Sequence, residues 1–468
     1  MEIQSSVEHV KQCISDNDGE LKRTLSNRHI QLIAIGGAIG TGLFMGSGKI
    51  ISMAGSSVIL VYSIIGFFLF FIMRAMGEML LSDLKFKSFA DIVAHYLGPK
   101  AGFILSWSYW LSWSVAVIGD VVVVAGFFQY WYPDIPAWMP AFFTMFLLLA
   151  LNTLAVKIFG EVEFWFALIK IIAIVLLIVT SIFLIGISYT SPSGVVASFS
   201  NVIEKNTILP HGFSGFFAGF QIAIFSFAGT ELIGTAAAET KNPDKNLPKA
   251  INTIPFRILL FYILTLICII SIISWANVPS NKSPFVELFL YAGFPAAAGM
   301  INFVVLTSAT SSANSGVYSG CRMLFGLAVR KNAPRILGQL SSRGVPTISL
   351  LLSGIFMLVG LTLLFVIPDV MKVFIIISTI SAILVIFTWS MILFAYIAYR
   401  KKSPDLHNSS NFKMPGGVTM ASITLLFLLF VLGLLSLESD TRSALFLMPI
   451  WFIFLFLIYK KEKYKECI

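Results

Sequence analysis

A glycine-rich stretch near the start of the chain is the residue pattern best suited to binding a ligand. It reads Ile35-Gly36-Gly37-Ala38-Ile39-Gly40-Thr41-Gly42-Leu43-Phe44 and lies in an apolar run long enough to cross a bilayer. Glycine in a helix interior costs about 1 kcal/mol relative to alanine, and backbone groups freed inside a membrane need new partners. The pattern predicts a helix that breaks near Gly40–Gly42 and offers its amides to a small polar solute. Close packing of two helices is the alternative explanation.

A second interrupted segment lies five apolar runs further along the chain. It reads Phe225-Ser226-Phe227-Ala228-Gly229-Thr230-Glu231. Paired interrupted spans at corresponding positions are typical of inverted-repeat transporters, whose binding site lies near the bilayer midplane. The N-terminus of a half-helix suits a carboxylate, and the C-terminus of a half-helix suits an ammonium. Two facing breaks could therefore hold a zwitterion such as an amino acid.

Ionisable side chains inside predicted spans are candidate functional residues because burying them is costly. Lys170 lies nine residues past Glu161, which is about 14 Å of helical rise. Since its charge is expensive to keep there, Lys170 could gain a proton outside and lose it inside; snorkelling to the headgroups is the alternative. Glu231 could hold a polar network around the site or bind a proton. Asp120 could line the pathway or lie near the outer interface.

Two further polar groups allow structural as well as functional interpretations. Ser308, Ser311 and Ser312 form one stripe of a predicted span. They could face Lys170 across the bundle or bond neighbouring helices. Arg74 and Glu78 have the i,i+4 spacing of a helical ion pair, and we expect this pair to be structural.

The composition places these residues in an integral membrane protein. The 468-residue chain is 57% hydrophobic and 12% charged, with a mean hydropathy of +0.89. An all-α fold of twelve transmembrane helices is predicted, in a 5+5 inverted repeat with broken helices 1 and 6 plus two additional helices. The spans are expected at about 30–53, 57–82, 101–131, 137–156, 162–187, 213–238, 252–275, 285–327, 346–367, 370–399, 418–437 and 443–460. A short helix is expected at the start of the eighth.

The positive charges indicate how the chain is oriented. Lysines and arginines gather in alternate loops, which predicts that both termini are cytoplasmic. The net charge of +9 is therefore assigned to topology rather than to a nucleic acid. The predicted divisions are a tail at 1–28, a transport core at 29–400 with repeats at about 29–187 and 213–400, two additional helices at 401–460, and a tail at 461–468. The loop from Glu239 to Pro248 is expected to be a cytoplasmic connector.

Several motifs resemble the amino acid permeases of the amino acid–polyamine–organocation superfamily. They are Gly36–Phe44, Arg74-Ala75-Met76-Gly77-Glu78, Glu163-Phe164-Trp165-Phe166-Ala167-Leu168-Ile169-Lys170, and Ala237-Ala238-Glu239-Thr240-Lys241-Asn242-Pro243 followed by Asn246–Ile251. Segments 214–223, 282–289 and 308–317 resemble family members that carry glycine, D-alanine and D-serine. The likeness runs from about residue 21 to about residue 457, and it implies a twelve-helix, proton-coupled uptake system.

The resemblance also implies a substrate site made largely of backbone. Its residues would be Ala38, Ile39, Gly40, Thr41, Gly42, Phe225, Ser226, Phe227, Ala228 and Gly229. The amides of Gly40–Gly42 and the Thr41 hydroxyl would bind the carboxylate, and the carbonyls of Ala38, Phe225 and Ala228 would bind the ammonium. Phe225 would be the aromatic gate, and together with Phe227 it would favour small side chains. Lys170 would occupy the place that a sodium ion has in sodium-coupled relatives.

These observations favour a secondary active transporter in a bacterial inner membrane. The expected activity is proton symport of glycine, D-alanine, D-serine and L-alanine into the cytoplasm, with no cofactor or metal ion. An exchanger, a permease for other neutral amino acids, and a membrane-embedded amino acid sensor are the alternatives. An enzyme or an ATP-driven pump is disfavoured because the sequence contains no HExxH, GxSxG or GxxxxGK[ST] motif.

Overall fold

The protein is described by a computed structural model that covers residues 39–86, 88–153, 156–192, 194–235, 242–341, 344–437 and 439–459. Within these ranges every named element is a helix or a helical turn, and pairing of extended backbone is limited to one bridge between Thr190 and Val196. The predicted all-α fold is confirmed.

The helices that form the spans are numbered here in chain order. The first span is Gly42–Gly46 with Ser47–Ala54, and the second to fifth are Val58–Ser82, Pro99–Phe128, Trp138–Asn152 and Val156–Gly186. The sixth consists of Gly212–Ala223 and Leu232–Thr235, the seventh is Pro243–Ile272, the eighth is Pro295–Val329, and the ninth consists of Thr347–Leu361 and Leu363–Val366. The tenth to twelfth are Val370–Lys402, Gly417–Leu434 and Ser439–Ile458. Short helices between them are Phe89–Leu97, Lys205–Ile208, Pro284–Tyr291 and Pro404–Ser409. Short 3-10 turns are Gly55–Ser57, Phe199–Val202, Phe225–Phe227, Trp275–Asn277 and Arg335–Gly338.

Twelve spans follow from helix length and composition. In the described residues, ten helices are long and apolar enough to cross a membrane, and Trp138–Asn152 is a shorter apolar helix. One of the ten, Gly42–Ser82, has 41 residues and would be about 60 Å long if straight, twice the bilayer core. A turn at Gly55, where φ is +57°, divides it into the first and second spans. The carbonyl oxygen of Thr207 would lie 2.2 Å from a Cβ at Gly55, so only glycine fits this turn.

The two repeats pack against each other at matching positions. The first span contacts the sixth, the second contacts the seventh, the third contacts the eighth, and the fourth contacts the ninth. Since each pair is five spans apart, its members run in opposite directions through the bundle. This is the arrangement of a 5+5 inverted repeat, and the eleventh and twelfth spans are additional to it.

The connector prediction for residues 239–248 is wrong from Pro243 onward. The seventh span begins at Pro243, although the sequence predicted a start near residue 252. Proline is tolerated in the first helical turn because its missing N–H would lack an intrahelical partner there. The short helix expected before the eighth span is confirmed as Pro284–Tyr291.

The expected ion pair between Arg74 and Glu78 is replaced by separate contacts. Arg74 donates to Asn252 and to the carbonyl oxygen of Lys413. Glu78 is fully buried and binds the His407 ring, the Tyr396 hydroxyl and the Met414 amide; these contacts are 2.5 Å, 3.1 Å and 2.7 Å long. Both side chains thus tie the second span to neighbouring segments, which is a structural role as expected.

Candidate functional site

The sixth span is interrupted where the sequence predicted a break. Its first helix ends at Ala223, and Phe225–Phe227 forms a 3-10 turn. Ala228 then has extended backbone (φ −58°, ψ 141°), and Gly229 has φ +96°, a conformation that favours glycine. Ala228 keeps some accessible surface although Phe227 and Gly229 are buried. Ala228 is therefore the residue of the break with the most accessible surface.

Two tyrosines from matching spans of the repeats hold this break in place. The Tyr62 hydroxyl of the second span is hydrogen-bonded to Ser226 Oγ at 3.0 Å. The Tyr262 hydroxyl of the seventh span donates to the Ser226 carbonyl oxygen at 2.7 Å. The Phe227 ring packs against both tyrosine rings, with centroids 5.6 Å and 5.3 Å away. Ser226 thus uses its polar atoms to fix the break, which is a positioning role.

The glycine-rich segment of the first span lies directly against this break. Residues Ile39 and Gly40 form a bend and the helical turn begins at Thr41, so only Gly40 of the predicted break at Gly40–Gly42 is non-helical. The amides of Thr41 and Gly42 lie in the first turn of the helix. A Cβ at Gly42 would be 2.6 Å from Ser226 Cα. The Ser308 hydroxyl donates to the Ile39 carbonyl oxygen at 3.3 Å. Ala38 lies outside the described residues.

The Thr41 hydroxyl points to a carboxylate of the third span. It donates to Asp120 Oδ1 at 2.5 Å, and Asp120 is 2% exposed. Ser312 also interacts electrostatically with Asp120, and its hydroxyl would lie 2.9 Å from a Cβ at Gly40. The Thr41 side chain thus fixes Asp120. Asp120 lies at the break rather than at the outer interface.

Lys170 lies between two buried carboxylates. It is 1% exposed and interacts electrostatically with Asp120 and Glu163. Glu163 has no exposed surface and accepts from the Ser311 hydroxyl at 2.7 Å. This burial argues against a snorkelling lysine, because a snorkelling ammonium would lie in water. The cluster joins the third, fifth and eighth spans beside the Ile39–Gly40 bend of the first span.

The serine stripe of the eighth span does both things that the sequence allowed. Ser311 donates to Glu163 and Ser312 interacts electrostatically with Asp120, whereas Ser308 donates to the Ile39 carbonyl oxygen in the bend of the first span. The Asn314 side-chain oxygen accepts from Asn152 of the fourth span at 2.8 Å. The eighth span therefore connects the charged cluster to the glycine-rich bend.

Glu231 folds back onto the break that precedes it. Its carboxylate accepts from the Gly229 amide at 3.2 Å, and from Tyr109 and Trp389 at 3.4 Å each. These donors come from the third, sixth and tenth spans. Of the two roles open at the sequence level, the geometry favours a polar network that fixes the break.

The two phenylalanines of the break face different surroundings. The Phe225 ring meets Phe374 of the tenth span edge-on, with centroids 5.9 Å apart. Phe374 also lies about 4 Å from where a Cβ would be at Gly46 and Gly119. Phe227 instead belongs to the tyrosine cluster around Ser226. A gate at Phe225 would therefore close against Phe374, not together with Phe227.

Sequence reasoning assigned no role to Glu163. It precedes Lys170 by seven residues, or two helical turns, so that both side chains lie on one face of the fifth span. That spacing could have revealed the pair. It could not show that the eighth span would supply Ser311 to the same carboxylate.

We expect Tyr262→Phe to weaken the sixth-span break. The substitution leaves the ring in place but removes the donor to the Ser226 carbonyl oxygen, which is buried. An unsatisfied buried acceptor costs about 1–3 kcal/mol. Thermal unfolding in detergent should show a lower Tm for this variant. Thr265→Val is the matched control, because that hydroxyl of the same span bonds only its own helix backbone. Equal Tm values for the two variants would contradict the role of Tyr262.

Comparison with known proteins defines the class of this chain. The family model described as "Amino acid permease" matches residues 29–465. The chain belongs to the amino acid permease family, and it is a multi-pass membrane protein that transports amino acids.

Individual relatives cover almost the whole chain. The D-serine/D-alanine/glycine transporter of Escherichia coli (strain K12) is 54% identical over 450 residues, 96% of each chain. The amino-acid permease AapA of Bacillus subtilis (strain 168) is 47% identical over 450 residues, covering 96% of this chain and 97% of the relative. The aromatic amino acid transport protein AroP of Escherichia coli O6:H1 is 39% identical over 445 residues, covering 95% and 96%. The family resemblance found in the sequence motifs is confirmed, and these relatives are transporters and permeases.

Proposed function

We propose that the chain imports small neutral amino acids, with glycine, D-alanine and D-serine as its main substrates, by proton symport. The observation that carries the proposal is the contact, inside the bundle, between the start of the first span at Gly42 and the interrupted part of the sixth span at Ser226. Backbone amides at one segment suit a carboxylate, and carbonyls at the other suit an ammonium. The similarity to a transporter named for D-serine, D-alanine and glycine supports this substrate class.

The crowded surroundings of the break support small substrates. Phe225 is 7% exposed and packs on Phe374, and Ser226 is held by Tyr62 and Tyr262. A site whose specific contacts are backbone groups recognises the zwitterion common to all amino acids. Selection then depends on the volume available beyond Cα, where large neighbouring side chains disfavour large substrates.

The Lys170 cluster supports a proton as the coupling ion. An ammonium held in the dry interior is a fixed cation beside the first break, in a place where other transporters of this architecture use a bound cation. Ile39, Gly40, Thr41, Gly42, Phe225, Ala228 and Gly229 are the substrate-binding residues of this proposal. Lys170 is its proton-coupling residue. The residues that support Lys170 and the bend are Asp120, Ser308, Ser311 and Ser312. The residues that position the sixth-span break are Ser226, Phe227 and Glu231.

We place the protein in a bacterial inner membrane with both termini in the cytoplasm. Basic residues concentrate at one set of loops, including Lys85, Lys100, Lys249 and Arg330, which agrees with the positive-inside rule. This orientation sets the N-terminal end of the fifth span at the cytoplasmic side.

Uptake into proteoliposomes tests the proposal. With an acidic exterior and a neutral lumen, labelled glycine and D-alanine should accumulate above the external concentration, and a protonophore should abolish this accumulation. Unlabelled D-serine should compete, whereas phenylalanine and lysine should not. Uptake that needs preloaded amino acid would instead indicate an exchanger, and binding without uptake would indicate a sensor. A requirement for sodium would contradict the role of Lys170.

A further inference from the structure

Glu163 has an unusual environment for a carboxylate in a membrane. Its side chain has no exposed surface, and Oε1 accepts from Ser311. Oε2 is buried and has no hydrogen-bond partner among the described residues. An ionised buried oxygen without a partner is costly, whereas a protonated one carries its own donor.

A nearby hydroxyl could accept such a proton. Ser315 lies one helical turn beyond Ser311 on the eighth span and acts on the same carboxylate as Asn314 does. Ser315 Oγ is itself buried and has no hydrogen-bond partner in the part of the chain that the structure describes. Two orphaned oxygens thus lie near one another, and a proton on Oε2 would join them in one hydrogen bond.

The charge balance of the cluster also favours a protonated carboxyl. Asp120, Glu163 and Lys170 are each at most 2% exposed, so two acids surround one base in the interior. If all three are ionised, the cluster carries one uncompensated negative charge, which is expensive in a low-dielectric region. One added proton makes it neutral. Among the described residues, Lys170 is the charged side chain that acts on Glu163, and the eighth span contributes the uncharged groups of Ser311, Asn314 and Ser315.

Glu163 also lies between Lys170 and the N-terminal end of the fifth span. It is seven residues, about 10 Å, nearer than Lys170 to the N-terminal end of the fifth span. The Lys170 stem leans toward that end because helical side chains tilt toward the N-terminus. In the proposed orientation this end is cytoplasmic. The order from the first break is therefore Thr41, Asp120, Lys170 and Glu163.

We infer that Glu163 takes the coupling proton from Lys170 and releases it toward the cytoplasm. This inference rests on the proposed proton symport. In the transfer an N–H bond on Lys170 Nζ breaks and an O–H bond on Glu163 Oε2 forms, directly or across one water. An ion pair becomes a neutral pair, and the total charge is unchanged. Lys170 is then reprotonated from the outside, which makes the cluster neutral, and Glu163 gives its proton to water entering from the cytoplasmic side.

Proteoliposomes that contain a trapped pH-sensitive dye test this role. In the Glu163→Gln variant, substrate-driven proton entry should fall at least tenfold, whereas counterflow between labelled and preloaded D-alanine should fall less than threefold. Glu163→Asp keeps a carboxyl group and should recover proton entry in part. Glu287→Gln is the matched control, because that glutamate pairs with exposed Lys282 away from the cluster. It should behave like the unmodified protein.

Three results would overturn the inference. Glu163→Gln could retain full substrate-driven proton entry, or it could lose counterflow as completely as proton entry. Ser311→Ala, which removes the hydrogen bond to Glu163 but keeps the carboxyl, could reproduce the Glu163→Gln pattern; this would make Glu163 an anchor for the eighth span. Failure of the proposed function is distinguishable, since the unmodified protein would then show no substrate-driven proton entry.

Discussion

Gly42→Ala should reduce transport to less than a tenth of the unmodified rate. The added methyl group would lie 2.6 Å from Ser226 Cα, 2.9 Å from Ser226 N and 2.8 Å from Ser226 Oγ. Two of these atoms are backbone, and Ser226 is fixed by Tyr62 and Tyr262. Relief of the clash therefore requires the first span to move away from the sixth-span break, and this displaces the groups that would bind the substrate. Overpacking of this kind typically costs about 1–3 kcal/mol.

The comparison with two other glycines isolates that effect. Gly433→Ala lies in the eleventh span, where nothing is within 4 Å of the added Cβ, and it should transport normally. Gly40→Ala meets the Ser312 side chain at 2.9 Å, and because a hydroxyl can rotate, the loss should be intermediate. Initial uptake rates normalised to reconstituted protein provide the measurement. Full activity of Gly42→Ala would mean that the close contact of the two segments is not needed for transport.

Lys170→Met should abolish accumulation driven by a pH gradient. Methionine keeps much of the apolar stem but removes the ammonium between Asp120 and Glu163. Breaking a buried charge pair by removing one partner costs about 3–5 kcal/mol, because the remaining charge is left uncompensated. We therefore expect both a lower Tm and a steady-state accumulation ratio near one, whether or not a pH gradient is imposed.

A double variant separates loss of coupling from loss of folding. Adding Glu163→Gln to Lys170→Met removes one of the uncompensated carboxylates, so the Tm should rise relative to Lys170→Met while accumulation stays absent. Lys282→Met serves as the control, since the Lys282 side chain is 64% exposed and lies outside the cluster. Retained pH-driven accumulation in Lys170→Met would show that the proton is carried elsewhere.

The architecture was predictable because the sequence encodes it locally. Runs of apolar residues gave twelve spans, and Gly229, which adopts a positive φ, marked the second break at the correct place. The motifs that resemble amino acid permeases predicted the family that the comparisons confirmed. Proline was the main source of error: Pro243 looked like part of a loop but begins a helix.

The contacts within the candidate site were not predictable, because they depend on which residues meet across the bundle. Thr41 was expected to bind substrate through its hydroxyl, but that hydroxyl bonds Asp120, 79 positions away in the sequence. Ser226 looked like a contact residue, yet its partners are tyrosines of two other spans. Glu163 looked like part of a motif only. Each of these pairings is set by helix packing, which no local pattern specifies.

The pair of bonds on Ser226 has a consequence for how the carrier would alternate between its two faces. One hydrogen bond involves Tyr62 of the first repeat and the other Tyr262 of the second repeat, so both repeats bind the same residue. A residue bonded to both repeats would act as a pivot. Ser226 would move little while the two repeats rotate relative to each other around it. The bound substrate would then become accessible from each side of the membrane in turn while moving little itself.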